Sequence, residues 1–530
     1  MANLLHDRAS GLLLHPTSLD GPHGIGDFGP RARAFVDLLA DAKQTWWQVL
    51  PLGPPAVADS PYQATSAFAG NPLLVSLEDL VDQGLLRSSE LPPSRPPHVA
   101  DFGYANEVKW AAYPKVRERF LRDKGLVAEL EAFRREMSSW LPDFACYSAF
   151  KRSFGGAPWT EWPKEIRDRQ PAAIAALAKA LADEIELAEI VQLLFHKQWR
   201  FVAEYAHAKH VRLMGDVPIF VAGDSADVWA NRSVFRLDED GNPIVVAGVP
   251  PDYFSEDGQL WGNPHYDWTQ LEGDGFAWWV DRFRQVFRLV DAVRIDHFIG
   301  FVRAWEVQFG AKHARVGVWK KGPGAKLFTA IREALGEVSI LAEDLGSVDE
   351  EVWAVRDAFE LPGMKVLQFA FSPDGAPNEH QPHAYPRTSV AYSGTHDNDT
   401  AAGWYAALRE DAAKPEPTVI PAKTEETARP AGAVRTPKAA RQTIEHARAF
   451  LRTSFDEIHW DLIHALMGSV ANVVIFPAQD VMGLGTEHRM NAPGTKSGNW
   501  RFRIPQGGIP KEALERLAIL TTMFDRDLSE

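Results

Sequence analysis

Eight short apolar runs, each closing on polar residues and spaced by helical stretches, constrain this chain more than any other feature. They are Gly11 to Leu14, Thr45 to Leu50, Val211 to Asp216, Ala292 to Asp296, Val338 to Glu343, Met364 to Phe371, Ser389 to Thr395 and Val470 to Phe476. Amphipathic helices are predicted over Arg31 to Lys43, Ala325 to Leu335, Val348 to Phe359 and Arg441 to Met467. Strands alternating with helices form a parallel sheet with right-handed crossovers. Eight such units predict an α/β protein, a (β/α)8 TIM barrel over residues 1–530; a doubly wound sheet is the rival arrangement.

Two stretches exceed a minimal βα unit. Residues 53–190 carry their own helical pattern and read as an inserted, mainly helical subdomain. Residues 222–275 are rich in Gly, Pro, Asp and aromatics and read as an inserted loop or lid. Both fall on βα connections, the catalytic face of a barrel. Residues 411–440 are rich in Pro, Ala, Thr and Lys without an apolar period, the composition of a flexible surface insert.

Charge and composition exclude several function classes. The formal charge of −15 disfavours a polyphosphate partner, so no nucleic acid is expected. No run reaches the ~18 apolar residues of a membrane span, so no membrane partner is expected. The first residues lack a basic n-region, and His15 and Pro16 interrupt their short apolar stretch, which argues against a secretory signal. One cysteine, Cys146, fits a reducing cytoplasm. The 18 tryptophans belong either to a large core or to surfaces that stack on sugar rings.

Two motifs carry little. Gly24-Ile25-Gly26-Asp27-Phe28-Gly29 lies between a predicted strand and a predicted helix, as a dinucleotide fingerprint would. The next strand runs into Val49-Leu50-Pro51-Leu52-Gly53 without the acidic residue that binds ribose, so a glycine-rich turn at a barrel mouth is the better reading. Asp238, Asp240 and Asn242 resemble a calcium loop, but Pro243 replaces the turn glycine and the closing Glu is missing. No Cys/His cluster has zinc spacing, and no metal is expected.

Acids at strand ends carry more. Asp296 closes the fourth run, Glu343 the fifth, and Asp397 follows the seventh. A structural ion pair could explain any one of them. Three at the same end of a barrel would converge on one pocket, and a pair of carboxyls is the minimum equipment for glycoside cleavage. Arg294 precedes Asp296 by two residues, on the same strand face, where a guanidinium would hold the carboxylate ionised. His396 either donates to sugar hydroxyls or is a hydrogen-bonded structural imidazole. Gly248 to Ser255 and Gly258 to Pro264 form a polar, aromatic segment suited to a binding lid.

At these residues the chain resembles the amylomaltases, the bacterial 4-α-glucanotransferases or disproportionating enzymes of the α-amylase-like clan. The likeness covers nearly the whole length: Gly11 to Leu19, Gly24 to Pro30, Ser60-Pro61-Tyr62, Gly215 to Val221, the 248–264 lid, Arg294 to Phe298, Ala342 to Gly346, Gly394 to Asp399, Arg489 to Gly494 and Ser497 to Trp500. It implies a barrel with inserted subdomains, no organic cofactor, and maltooligosaccharides and α-1,4-glucans as substrates. It also implies Asp296 as nucleophile, Glu343 as general acid/base and Asp397 as stabiliser of the distorted sugar. Arg294 and His396 would support the cleaved sugar's subsite. Tyr62, Asp216, Asp252, Gln259, Trp261 and Asn491 would be further sugar contacts. The sequence departs from the family at Asp20 and His23, at Ala304 and at Ala384, positions that bear on acceptor preference. An α-glucan hydrolase would use the same carboxyls, and a non-catalytic glycan-binding barrel would not need them. Transfer over hydrolysis therefore rests on the resemblance.

Overall fold

The computed structural model describes residues 3–56, 58–95, 98–251, 255–346, 348–416, 436–454, 456–495 and 497–527. Eight strands close into a parallel barrel: β1 (Ala9–Leu13), β2 (Trp46–Gln48), β3 (Arg212–Pro218), β6 (Ala292–Asp296), β9 (Ser339–Ala342), β10 (Gly363–Val366), β11 (Ser389–Tyr392) and β12 (Val473–Pro477). They neighbour one another in that order, and β12 pairs back onto β1. Each contains part of one predicted run, so the barrel replaces the doubly wound alternative. The strands are almost entirely buried, because helices cover their outer face and side chains fill the interior.

A second sheet was not legible in the sequence. β4 (Val245–Val249), β5 (Gln259–Pro264), β7 (Arg303–Gln308) and β8 (Val318–Lys321) form an antiparallel sheet in the order β5-β4-β7-β8. The stretch 222–275 is therefore not only loop: its two strands join two from beyond β6. Glycine makes this approach possible at Gly248, where a Cβ would sit 2.4 Å from the Gln259 carbonyl oxygen.

Other boundaries move. The helical insert does not stop at 190, because one helix runs unbroken over Ala182–Ala208 into β3. The single helix expected from Arg441 to Met467 is two, Pro437–Leu451 and Ile458–Met467. Arg452 turns left-handed (φ 55°) and caps the first on the Arg448 carbonyl, which ends its hydrogen-bond ladder. Of the segment 411–440, the first residues complete the helix Ala401–Ala413 and the last open the helix at Pro437. Residues 417–435 lie outside the described residues.

Trp46, Trp47, Trp159, Trp199, Trp229 and Trp279 are fully buried, so much of the tryptophan excess serves the core. No helix among the described residues is long and apolar enough to cross a membrane. The chain's last part crosses the barrel mouth: Ile504 N–H donates to the Ser18 carbonyl, and buried Arg503 donates to the carbonyls of Leu19, Gly21 and Gly24. This strap ties the first βα loop to residues 489–504 beside Asp397.

Candidate active site

Strand alternation sets the centre of the site. Arg294 and Asp296 are two residues apart on β6 and project to the same side. Asp216 on β3 is the register partner of Arg294. β9 flanks β6 on the other side and delivers Glu343 one residue past its end. One guanidinium thus reaches three carboxyls. Arg294 Nη1 lies 2.5 Å from Asp216 Oδ2, and Nη2 lies 2.9 Å from Asp296 Oδ1 and 3.6 Å from Glu343 Oε2.

Exposure separates the acids by task. The side chains of Asp296, Glu343 and Asp397 remain 28%, 20% and 33% open to the mouth, whereas that of Asp216 is sealed. Asp216 accepts from Tyr62 Oη at 2.8 Å and from Arg294 on the same oxygen. It anchors these two groups from behind. Its side chain is closed to solvent, and its other oxygen, Oδ1, has no hydrogen-bond partner among the described residues.

Three buried carboxyls around one cation cannot all ionise cheaply. Burial pushes Glu343 up to about 8 and Asp216 up to about 7, against the pull of Arg294. Asp296 also moves upward through burial, with Arg294 opposing. Arg294 alone was expected to hold Asp296 low; desolvation outweighs it. The direct 2.9 Å contact still favours ionisation of Asp296 before Glu343, which sits farther from the charge.

On the opposite wall, Asp397 Oδ1 accepts from Asn491 Nδ2 at 2.6 Å and lies 3.4 Å from His396 Nε2. Arg489 donates to the Asp397 carbonyl at 2.6 Å. Asn491 is thereby turned toward Asp397. His396 is buried and stays neutral, its pKa depressed to about 4 by desolvation. Its ring stacks on Tyr62, and Trp500 lies against both, with centroids 5.6 Å from Tyr62 and 6.0 Å from His396. Trp261 on β5 meets the His297 ring edge-on at 4.8 Å and donates to Gln259 Oε1 at 3.2 Å. Asp252 lies outside the described residues.

Sequence reasoning missed Trp500 and His297 as separate participants. Both hold left-handed backbones (φ 63° and 52°), uncommon for bulky residues and often found at functional sites. The run Ser497 to Trp500 was a signal only through resemblance; nothing in residue type reveals a positive φ. Among the described residues, no group of three or more His, Cys, Asp or Glu is arranged to hold a metal.

A parallel eight-stranded barrel with paired carboxyls, a shared guanidinium and aromatic walls at its strand ends is the apparatus of a glycoside-processing enzyme. Within that class the chain belongs to the glycoside hydrolase 77 family, 4-alpha-glucanotransferase, whose model matches residues 14–508. It is 45% identical over 536 residues to the 4-alpha-glucanotransferase of Thermus thermophilus, covering 98% of this chain and 99% of the relative. It is 44% identical to the chloroplastic/amyloplastic 4-alpha-glucanotransferase of Solanum tuberosum, covering 97% and 86%. Its fold matches the amylomaltase from Streptococcus agalactiae in complex with acarbose, with a TM-score of 0.88, 34% identity, and 98% and 99% coverage. The expected fold and family agree with these findings.

Proposed function

We propose that this enzyme transfers α-1,4-glucan segments between maltooligosaccharides by a retaining double displacement. Asp296 attacks the anomeric carbon as the glycosidic C–O bond breaks, and Glu343 gives its proton to the departing oxygen. An acceptor 4-hydroxyl then attacks the same carbon. The Asp296 ester bond breaks, and the acceptor's proton passes to Glu343. Asp397 stabilises the oxocarbenium-like states through the sugar hydroxyls, while Arg294 and His396 support the same subsite. Tyr62 and Trp261 offer apolar ring surface to sugars, and Gln259, Asn491 and Asp252 are further candidate contacts.

Kinship with 4-alpha-glucanotransferases supports transfer over hydrolysis, and the observation that carries the catalytic pair is the shared nitrogen of Arg294. Asp296 Oδ1 and Glu343 Oε2 lie 2.9 and 3.6 Å from that single atom. The two oxygens are therefore no farther apart than the sum of those distances, a bound that admits the ~5–5.5 Å spacing of retaining enzymes. The raised pKa of Glu343 supports its role as the starting acid. A lid built from residues 248–264 would favour a sugar hydroxyl over water by binding the acceptor and excluding solvent. The single cysteine supports action in a reducing compartment such as the cytoplasm.

Incubation with maltotriose tests the activity. Glucose together with a ladder of longer chains supports transfer; shortening alone means hydrolysis, and no change removes the catalytic reading. A Glu343→Gln variant given an α-glycosyl fluoride tests the mechanism, because fluoride needs little protonation to leave. The sugar ester should accumulate on the peptide containing Asp296. Label on another acid, or inverted product from the unaltered enzyme, would overturn it.

A further inference from the structure

We propose that the left-handed backbone of His297 is a positioning device that fixes which oxygen of Glu343 carries the proton. The inference deepens the proposed mechanism and rests on Glu343 as its general acid/base.

β6 ends at Asp296, and a short 3-10 helix begins at Phe298. His297 is the one residue between them, and it makes the reversal with φ 52° and ψ 54°. In that conformation its N–H donates to Glu343 Oε2, while the next N–H, of Phe298, donates to the Glu343 carbonyl at 3.2 Å. The Glu343 N–H in turn donates to the Ile295 carbonyl at 3.1 Å. The residues on both sides of the nucleophile thus clamp the backbone and side chain of the acid.

The chemistry follows from what an N–H can do: it donates and cannot accept. It therefore meets an oxygen lone pair at Oε2, and Arg294 Nη2 also lies nearest that oxygen. The His297 N–H bonded to Oε2, with the Arg294 charge on the same side, leaves the acidic proton to Oε1, which has no hydrogen-bond partner among the described residues. The side chain is 20% open to the mouth, so Oε1 is free to face a glycosidic oxygen. After the proton leaves, the same N–H and the nearby Arg294 charge hold the new carboxylate for the second step. A free carboxyl would divide its proton between the two oxygens, and one of the two arrangements is unproductive.

Packing sustains the unusual φ. The edge of Trp261 meets the His297 ring at 4.8 Å with an 88° interplanar angle. Gly300 supplies the space on another side, where a Cβ would stand 3.1 Å from His297 Cδ2 and 2.7 Å from Ile219 Cδ1. Burial depresses the imidazole to about 4, so the ring is neutral during catalysis and adds no charge beside Glu343. The charged groups around Glu343 are Arg294, Asp296 and Asp397.

The test compares two donors in the same folded proteins: maltotriose, whose leaving sugar needs a proton, and an α-glycosyl fluoride, which needs little. His297→Val disfavours the left-handed region, whereas His297→Gly and His297→Asn tolerate it. We expect His297→Val to lose on the order of 100-fold in kcat/KM on maltotriose, within the range of general acid catalysis, and less than about tenfold on the fluoride. His297→Gly and His297→Asn should lose no more than about tenfold, equally on both donors. Equal losses on both donors for His297→Val, no loss at all, or His297→Gly and His297→Asn falling with His297→Val on maltotriose would overturn the proposal. If His297→Val does not fold, His297→Ala takes its place, since its Cβ also disfavours the left-handed region without the added bulk, and the same donor-selective loss is expected. Glu343→Gln serves as the reference: failure to react faster with the fluoride than with maltotriose would place the fault in the acid/base assignment, not in His297.

Discussion

Asn491 donates its side-chain amide to Asp397 at 2.6 Å across 94 residues of chain, and its own N–H donates to the His396 carbonyl at 3.0 Å. The strap formed by residues 489–504 therefore also aims the third carboxyl of the site. Asn491→Ala is expected to lower kcat by roughly 10–100-fold with a smaller change in KM, as when an interaction made mainly in the transition state is lost. Steady-state kinetics on maltotriose checks this. A change confined to KM would make Asn491 a simple sugar contact.

Glu343 couples activity to stability with opposite signs. Its folded pKa of about 8 exceeds its ordinary value near 4.5. Between those values the folded state keeps a proton that the unfolded state has lost, so stability falls as pH rises through that window. Glu343→Gln removes this cost. Its Tm is expected to exceed that of the parent by a few degrees at pH 8 and to match it near pH 4. The parent's kcat/KM should decline above about pH 8, when the acid is lost.

Asp216 holds Arg294 from the sealed side of the barrel. Asp216→Ala leaves a buried guanidinium without that partner and Tyr62 without its acceptor. The expected cost is about 3–5 kcal/mol in unfolding free energy, together with loss of most activity. Denaturant melts measure the first and maltotriose kinetics the second. Asp216→Asn, which keeps an acceptor for Tyr62, should lose less stability.

Trp261 presents its indole beside His297 at the mouth. Trp261→Ala is expected to raise KM more for maltotriose than for long oligosaccharides. A stacking contact contributes about 0.5–1.5 kcal/mol beyond its buried area, and longer chains have other contacts to offset its loss. Equal effects across chain lengths would assign the ring to packing.

Residues 417–435 separate two helices that meet directly. Arg441, in the second helix, donates to the Ala412 carbonyl at the end of the first and pairs with Glu416. With a composition too polar to build a core, the segment is expected to be dispensable for the fold. Its excision, with a short linker joining the ends, should change Tm by only a few degrees. A fall of about ten degrees or more would assign it a packing role.

The sequence by itself determined the eight strand-and-helix units, because strand and helix periods are local properties, whereas closure into a barrel rather than a doubly wound sheet is a long-range pairing of β12 with β1. Burial on both faces makes a barrel strand a short apolar run, and all eight runs contain strands. It also placed Asp296, Glu343 and Asp397 at strand ends, where a barrel brings distant residues together. Arg294 beside Asp296 was legible through the two-residue strand period. Tertiary structure decided what no period encodes. β4, β5, β7 and β8 pair across an intervening barrel strand, so no local pattern announced their sheet. Asp216 and Asn491 had the residue types of sugar contacts; the fold adds that one pairs with Arg294 and the other donates to Asp397. The balance between Arg294 and desolvation at Asp296 depends on how much protein surrounds them, which only the packed barrel fixes. The positive φ of His297 follows from the reversal between β6 and the helix after it, held by Trp261 and by the space at Gly300. A residue's chemistry is written in the chain, but its solvent exposure and its partners are properties of the fold.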